Sequence, residues 1–140
     1  MNDQGLTAST PACVVPEIRL TLLAVPSSVA LARELVRYSL TNWGYGQALV
    51  HDSALVMSEI VTNAVSAARG HPIRIRCAVH DGAPLLECWD PSPALPAHRY
   101  TATTAESGRG LAIITAYAKR AGTRPSTTGQ GKIVWARMPT

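Results

Sequence analysis

In the stretch "SEIVTNAVSAARG", residues 58–70, a carboxylate and a carboxamide stand four positions apart in a segment otherwise patterned as core helix. At that spacing Glu59 and Asn63 project from one helical face about one turn apart and can meet one object. A carboxamide carbonyl is a hard oxygen ligand suited to Mg2+, and a neighbouring carboxylate can orient or deprotonate a hydroxyl nucleophile. The plainer alternative is a solvated Glu59 and a locally bonded Asn63. Against it stand the poor helix propensity of Asn and the apolar neighbours Ile60, Val61, Ala64 and Val65, which would partly enclose any polar pair.

Two further segments carry chemistry. In "CWDPSP" Asp90 closes an apolar strand, and a carboxylate there can accept a hydrogen bond from an exocyclic amine or serve as a turn-former or helix cap. In "ESGRGLAII" Gly108 and Gly110 permit close backbone approach, and the N–H groups of a helix start attract phosphate oxygens, with Arg109 adding charge. A plain helix-entry turn has the same composition. The chain contains neither GxxxxGK[ST] nor a strand followed by GxGxxG, so the two commonest nucleotide-binding folds have no support.

The positioning elements follow from periodicity. Residues 17–25, "EIRLTLLAV", have strand composition. The next segment offers Ser27 or Ser28 as N-cap, a helical spacing of Val29, Leu31, Leu35, Val36 and Leu40, and Gly44 as stop. A second helix is predicted from about Gln47 to Arg69, ended by Gly70 and Pro72. "PIRIRCAVHDG" alternates as a strand with one covered face, Asp81-Gly82 turns the chain, and "APLLECWD" pairs back, unless the turn extends through Ala83 and Pro84. Residues 91–107 hold three prolines without a period and read as a long loop. "GRGLAIITAYAKRAG" is predicted to be a third helix closed by Gly122, and "TRPSTTGQGKIVWARM" two strands joined through Gly129 and Gly131. The order implies an α+β fold: a two-layer α/β sandwich whose mixed, mostly antiparallel sheet carries helices on one face. Residues 1–16 are expected to form a flexible arm and residues 17–140 one domain.

Composition narrows the classes. With 46% apolar and 16% charged residues the 140-residue chain can bury a core. Its formal charge of +4 comes from scattered Lys and Arg, and with no Phe and with Trp89 and Trp135 assigned to core strands, a direct nucleic-acid surface is not expected. Cys13, Cys77 and Cys88 are odd in number and widely spaced, the four histidines lack metal-ligand spacing, and neither a leader nor a membrane span is seen. The expectation is a soluble cytoplasmic protein with reduced thiols.

"SEIVTNAV", "LLECWDPSPALP", "ESGRGLAIITAYA" and "GKIVWARM", in that order over residues 17–138, resemble the ATP-binding domain of the GHKL or Bergerat-fold superfamily, and within it the small bacterial anti-sigma-factor serine kinases. The resemblance implies ATP and Mg2+ as cofactors, with Asn63 on the metal that bridges the phosphates and Glu59 as base or positioner of the nucleophile. It also implies that Asp90 accepts from the adenine amine, that Gly108, Arg109 and Gly110 lie against the phosphates, and that residues 97–107 form a lid. The implied activity is serine/threonine phosphorylation of an anti-anti-sigma (STAS) protein, in partner switching with a sigma factor or similar transcription regulator; a homodimer is compatible with it. Departures exist: Ser92 and Ala94 replace the glycines of D-x-G-x-G, Ala67 replaces a common His, and Ile133 follows Gly131-Lys132 where Thr is common. These substitutions raise the alternative of a non-catalytic ATP-binding module that sequesters a regulatory protein.

Overall fold

A computed structural model describes residues 15–93 and 112–140. The elements are β1 (Glu17–Leu23), α1 (Ser27–Asn42), α2 (Gln47–Ala67), β2 (Pro72–His80), β3 (Ala83–Asp90), β4 (Arg120–Pro125) and β5 (Lys132–Arg137), with a further helical stretch over 112–117 that we term α3. The sheet order is β1-β2-β3-β5-β4 and every adjacent pair is antiparallel, so the mostly antiparallel sheet that was expected is wholly antiparallel among the described residues.

Both long helices lie on one face of this sheet. α1 packs along α2, and α2 lies over β3. The cause is legible in the strands. Ile73, Ile75 and Cys77 of β2, Leu86 and Cys88 of β3, and Val134 and Ala136 of β5 form one period-two row, buried against Val36 and Leu40 of α1 and Val56, Met57, Ile60, Val61 and Ala64 of α2. The alternate row, Arg74, Arg76, Glu87, Trp89, Ile133 and Trp135, occupies the uncovered face. Trp89 and Trp135 are therefore only half-buried, and the core they were expected to fill is on the other side.

Local chemistry sets the turns. Asp81 and Gly82 both have positive φ, 51° and 78°, and His80 pairs with Ala83, so the hairpin is a two-residue turn of the twist-matched kind. Ala83 and Pro84 belong to β3 and not to the turn. Gly44 at φ 89° ends α1, as expected.

Two expectations need correction. Neither Ser27 nor Ser28 caps α1: the N-cap position is Pro26, without a side-chain cap bond, and the Ser28 hydroxyl instead donates to the Leu23 carbonyl at 2.6 Å, tying the end of β1 to the helix. Nor does the third helix run to Gly122. The chain leaves the helix after residue 117 and enters β4 at Arg120, where Gly122 opposes Trp135. Basic residues followed by glycine are as characteristic of a helix end as of this strand entry, and only pairing with β5 decides between them.

The uncovered face carries a ladder of ion pairs across the strands. Arg19 Nε donates to Glu17 Oε2 at 2.9 Å, Arg76 Nε to Glu17 Oε1 at 2.8 Å, Arg76 Nη1 to Glu87 Oε1 at 3.0 Å, and Arg124 Nη2 to Glu87 Oε2 at 2.7 Å. Arg76, and then Arg19, hold the Glu17 carboxyl below the usual carboxylate range. Its contribution is present above the unfolded value near 4.5 and is lost as pH falls through the lower folded value.

The two buried thiols shift in the opposite direction to Glu17. Burial pushes Cys77 up to about 12, and burial followed by the nearby Asp90 carboxylate pushes Cys88 upward as well. Because both folded values lie above the ordinary thiol value of 9.0, the associated stability is complete below about pH 9 and declines as pH rises from there through about 12. We expect both thiols to resist alkylation at pH 8 in the native protein and to react at the rate of free cysteine in denaturant. Peptide mass spectrometry after timed iodoacetamide labelling checks this. Cys13 lies outside the described residues.

Candidate nucleotide site

α2 brings Glu59 and Asn63 to the flank of its buried stripe: both are half-buried, between the fully buried Met57, Ile60 and Ala64 on one side and the exposed Thr62 on the other. They are one helical turn apart on a helix that contacts β3. Asp90 ends β3 in the same period-two row as Leu86 and Cys88, so it stands on the helix-facing side of the sheet and is 1% exposed. The amide of residue 63 and the acid of residue 90 thus come from two elements in contact, one in the helix layer and one on the helix-facing side of the sheet. Gly108, Arg109 and Gly110, the proposed lid 97–107 and Ala94 lie outside the described residues.

The surroundings of Asp90 contain a group that sequence reasoning did not place there. In the β3–β5 register Asp90 directly opposes Lys132, and Lys132 Nζ donates to Asp90 Oδ1 at 2.9 Å. The same oxygen accepts from the Ser92 backbone N–H at 2.8 Å, while Nζ also donates to the Ser92 carbonyl at 3.2 Å. The Lys132 side chain is 4% exposed, so this is an ion pair enclosed by protein. The Asp90–Ser92 bond closes an Asx-type turn, one of the roles the sequence left open for Asp90. Gly131 makes the approach possible. At φ 75° its missing Cβ would stand 2.1 Å from the Asp90 carbonyl oxygen and 2.8 Å from Pro91 Cα.

The family model described as "Histidine kinase-like ATPase domain" matches residues 22–138. The chain belongs to that family. The histidine kinase-like ATPase fold is shared with solved structures at low identity. One is the structure of the RsbU and RsbW domains of Rv1364c from Mycobacterium tuberculosis, at TM-score 0.66 and 20% identity over 88% of this chain. The chain spans only 32% of the length of that protein. Another is the SiaB–SiaC complex from Pseudomonas aeruginosa, at TM-score 0.57 and 13% identity over 92% of each chain. No curated protein matches the sequence.

For a histidine kinase-like ATPase domain the donor set suits magnesium in one particular way. No cluster of three or more His, Cys, Asp or Glu side chains that could cage a metal occurs among the described residues. Mg2+ is commonly bound through one or two protein oxygens with the remainder supplied by phosphates and water, and the Asn63 carbonyl beside the Glu59 carboxylate fits that requirement. A groove of about 360 Å3 lies elsewhere, on the uncovered face, lined by Arg19, Arg74, Glu87, Trp89 and Thr128 among others. It contains none of the expected site residues. Arg74 sits over the Trp89 ring at 4.7 Å from its centroid, a cation–π pair absent from the sequence reading. Among the described residues no helix is long and apolar enough to cross a membrane.

Proposed function

We propose that the domain binds ATP with Mg2+ and works as a regulatory serine/threonine kinase of the anti-sigma type, transferring phosphate to an anti-anti-sigma (STAS) protein in exchange with a sigma factor or related regulator. One observation carries this reading: the family match covers the segments that hold Glu59, Asn63 and Asp90, which lie on α2 and at the end of β3, two elements in contact. Asn63 is assigned to the metal-bound phosphates, Asp90 to the base end, and Gly108, Arg109 and Gly110 to the phosphates.

In the transfer, the bond from the γ-phosphorus to the bridging oxygen of ADP breaks and a bond to the acceptor hydroxyl oxygen forms. Glu59 receives the hydroxyl proton. Bound Mg2+ supplies neutralisation of the phosphate charge, and positioning is the remaining contribution. Half-burial of Glu59, on the flank of the buried stripe of α2, is compatible with this role.

Calorimetry with ATP and Mg2+ tests the pocket, and γ-labelled ATP with a STAS partner tests transfer. The expected result is labelled partner, with Glu59→Gln lowering the rate about a hundredfold while leaving ATP binding in place. Failure to bind ATP would end the nucleotide reading. A second reading, an ATP-binding module that captures a regulator without turnover, draws on the segment after Asp90, where Pro91, Pro93 and the Ser92–Asp90 bond hold the backbone in one conformation. ATP binding without labelling of any partner favours it.

A further inference from the structure

We propose that Lys132 is an internal occupant of the base end of this site and weakens its discrimination for the 6-amino group of a purine: the ammonium takes Oδ1 of Asp90 and offsets its charge, so an exocyclic amine meets an acid that is already paired. This rests on the nucleotide-binding reading and adds the determinant of base selectivity to it.

Geometry makes Lys132 a built part of the site, not a surface side chain that has folded inward. It directly opposes Asp90 in the ladder, points to the helix-facing side, and is 3% exposed overall. The close approach of Gly131 to the Asp90 carbonyl and Pro91 holds the start of β5 against the end of β3. Two of the three ammonium N–H groups are accounted for by Asp90 Oδ1 and the Ser92 carbonyl, and the ammonium shares Oδ1 with the Ser92 N–H.

The competition then follows from bond strength. An exocyclic amine is a neutral donor whose bond to Asp90 would draw its strength from the acceptor's charge, and the ammonium already offsets that charge at 2.9 Å. An arriving amine must either displace the ammonium from Oδ1 or bond the other oxygen of an acid that is already paired. Its net contribution to affinity is small in either case, and the phosphates and ring faces carry the binding. Lys132 is therefore a specificity-determining residue whose removal restores the amine contact.

The experiment compares ATP with purine riboside 5′-triphosphate, which lacks the 6-amino group, on the full chain by calorimetry with Mg2+. The wild-type protein is expected to bind the two within about threefold of each other, whereas Lys132→Thr prefers ATP by about tenfold or more, the value of one recovered hydrogen bond to a charged group. A wild-type preference of about tenfold for ATP would overturn the proposal and leave the nucleotide reading intact. Equal affinities in a folded Lys132→Thr would also overturn it. If neither protein bound either triphosphate, both readings would fall; if only the variant bound, with the amine preference, the proposal would stand in its strongest form. Should Lys132→Thr not fold, the Asp90→Asn/Lys132→Thr variant removes both charges and keeps a carbonyl acceptor for the amine. An unchanged ratio there counts against Lys132 as the determinant.

Discussion

Asp90→Ala is expected to destabilise the domain by about 3–5 kcal/mol, because it leaves the Lys132 ammonium enclosed without its counter-ion. The side chains of the pair are 1% and 4% exposed, so water cannot take over the lost contact without opening the β3–β5 end. Replacing both partners should be far milder. An Asp90→Ala/Lys132→Met variant removes the uncompensated charge and is expected to recover most of the loss, since apolar replacements of whole buried pairs are often neutral. Urea unfolding of the two variants measures the difference, and a single-variant loss below about 1 kcal/mol would mean that solvent reaches Lys132 after all. Reduced nucleotide affinity in an Asp90 variant therefore requires a parallel stability measurement before it is assigned to the base contact.

Gly131→Ala is the second large effect, about 3 kcal/mol or more. Two costs add. Any L-residue at φ 75° is strained, and the new methyl would begin 2.1 Å from a backbone oxygen, which cannot rotate away as a flexible side chain would. Gly129 supplies the control. It has a similar φ of 82° but nothing within 4 Å of the added carbon, so Gly129→Ala isolates the conformational cost, about 1–2 kcal/mol. Thermal or urea unfolding of both variants separates the two, and equal losses would show that the close approach to Asp90 carries no energy of its own.

How far these features are visible in the sequence depends on how local their causes are. The β2–β3 hairpin is written in Asp81-Gly82, since a two-residue turn with positive φ at both positions needs few other residues. α2 is written in its three- and four-residue apolar spacing, and with it the shared face of Glu59 and Asn63. The position of Asp90 on the inner row follows from the alternation of β3. Lys132 is different. Its partner is 42 residues away, and the meeting depends on the register between β3 and β5, which no local pattern specifies. "GK" before an apolar strand reads equally well as a solvated strand entry. The Gly122 misreading has the same origin: a glycine after Lys and Arg is a helix stop until a neighbouring strand claims it. The side of the sheet to which Trp89 and Trp135 belong was likewise fixed by which row the helices cover, a tertiary choice.

Trp89 adjoins Asp90 in sequence, its indole Nε1 donates to the Gln130 carbonyl at 2.9 Å, and a guanidinium lies over its ring. Gln130 in turn precedes Gly131, which makes the close approach to Asp90, and Lys132, which completes the buried pair. The chain therefore contains its own optical gauge: a fluorophore wired by one hydrogen bond to the turn that presents the ammonium. Any event that shifts that turn alters the polarity around the indole, and its emission registers the change without an attached dye.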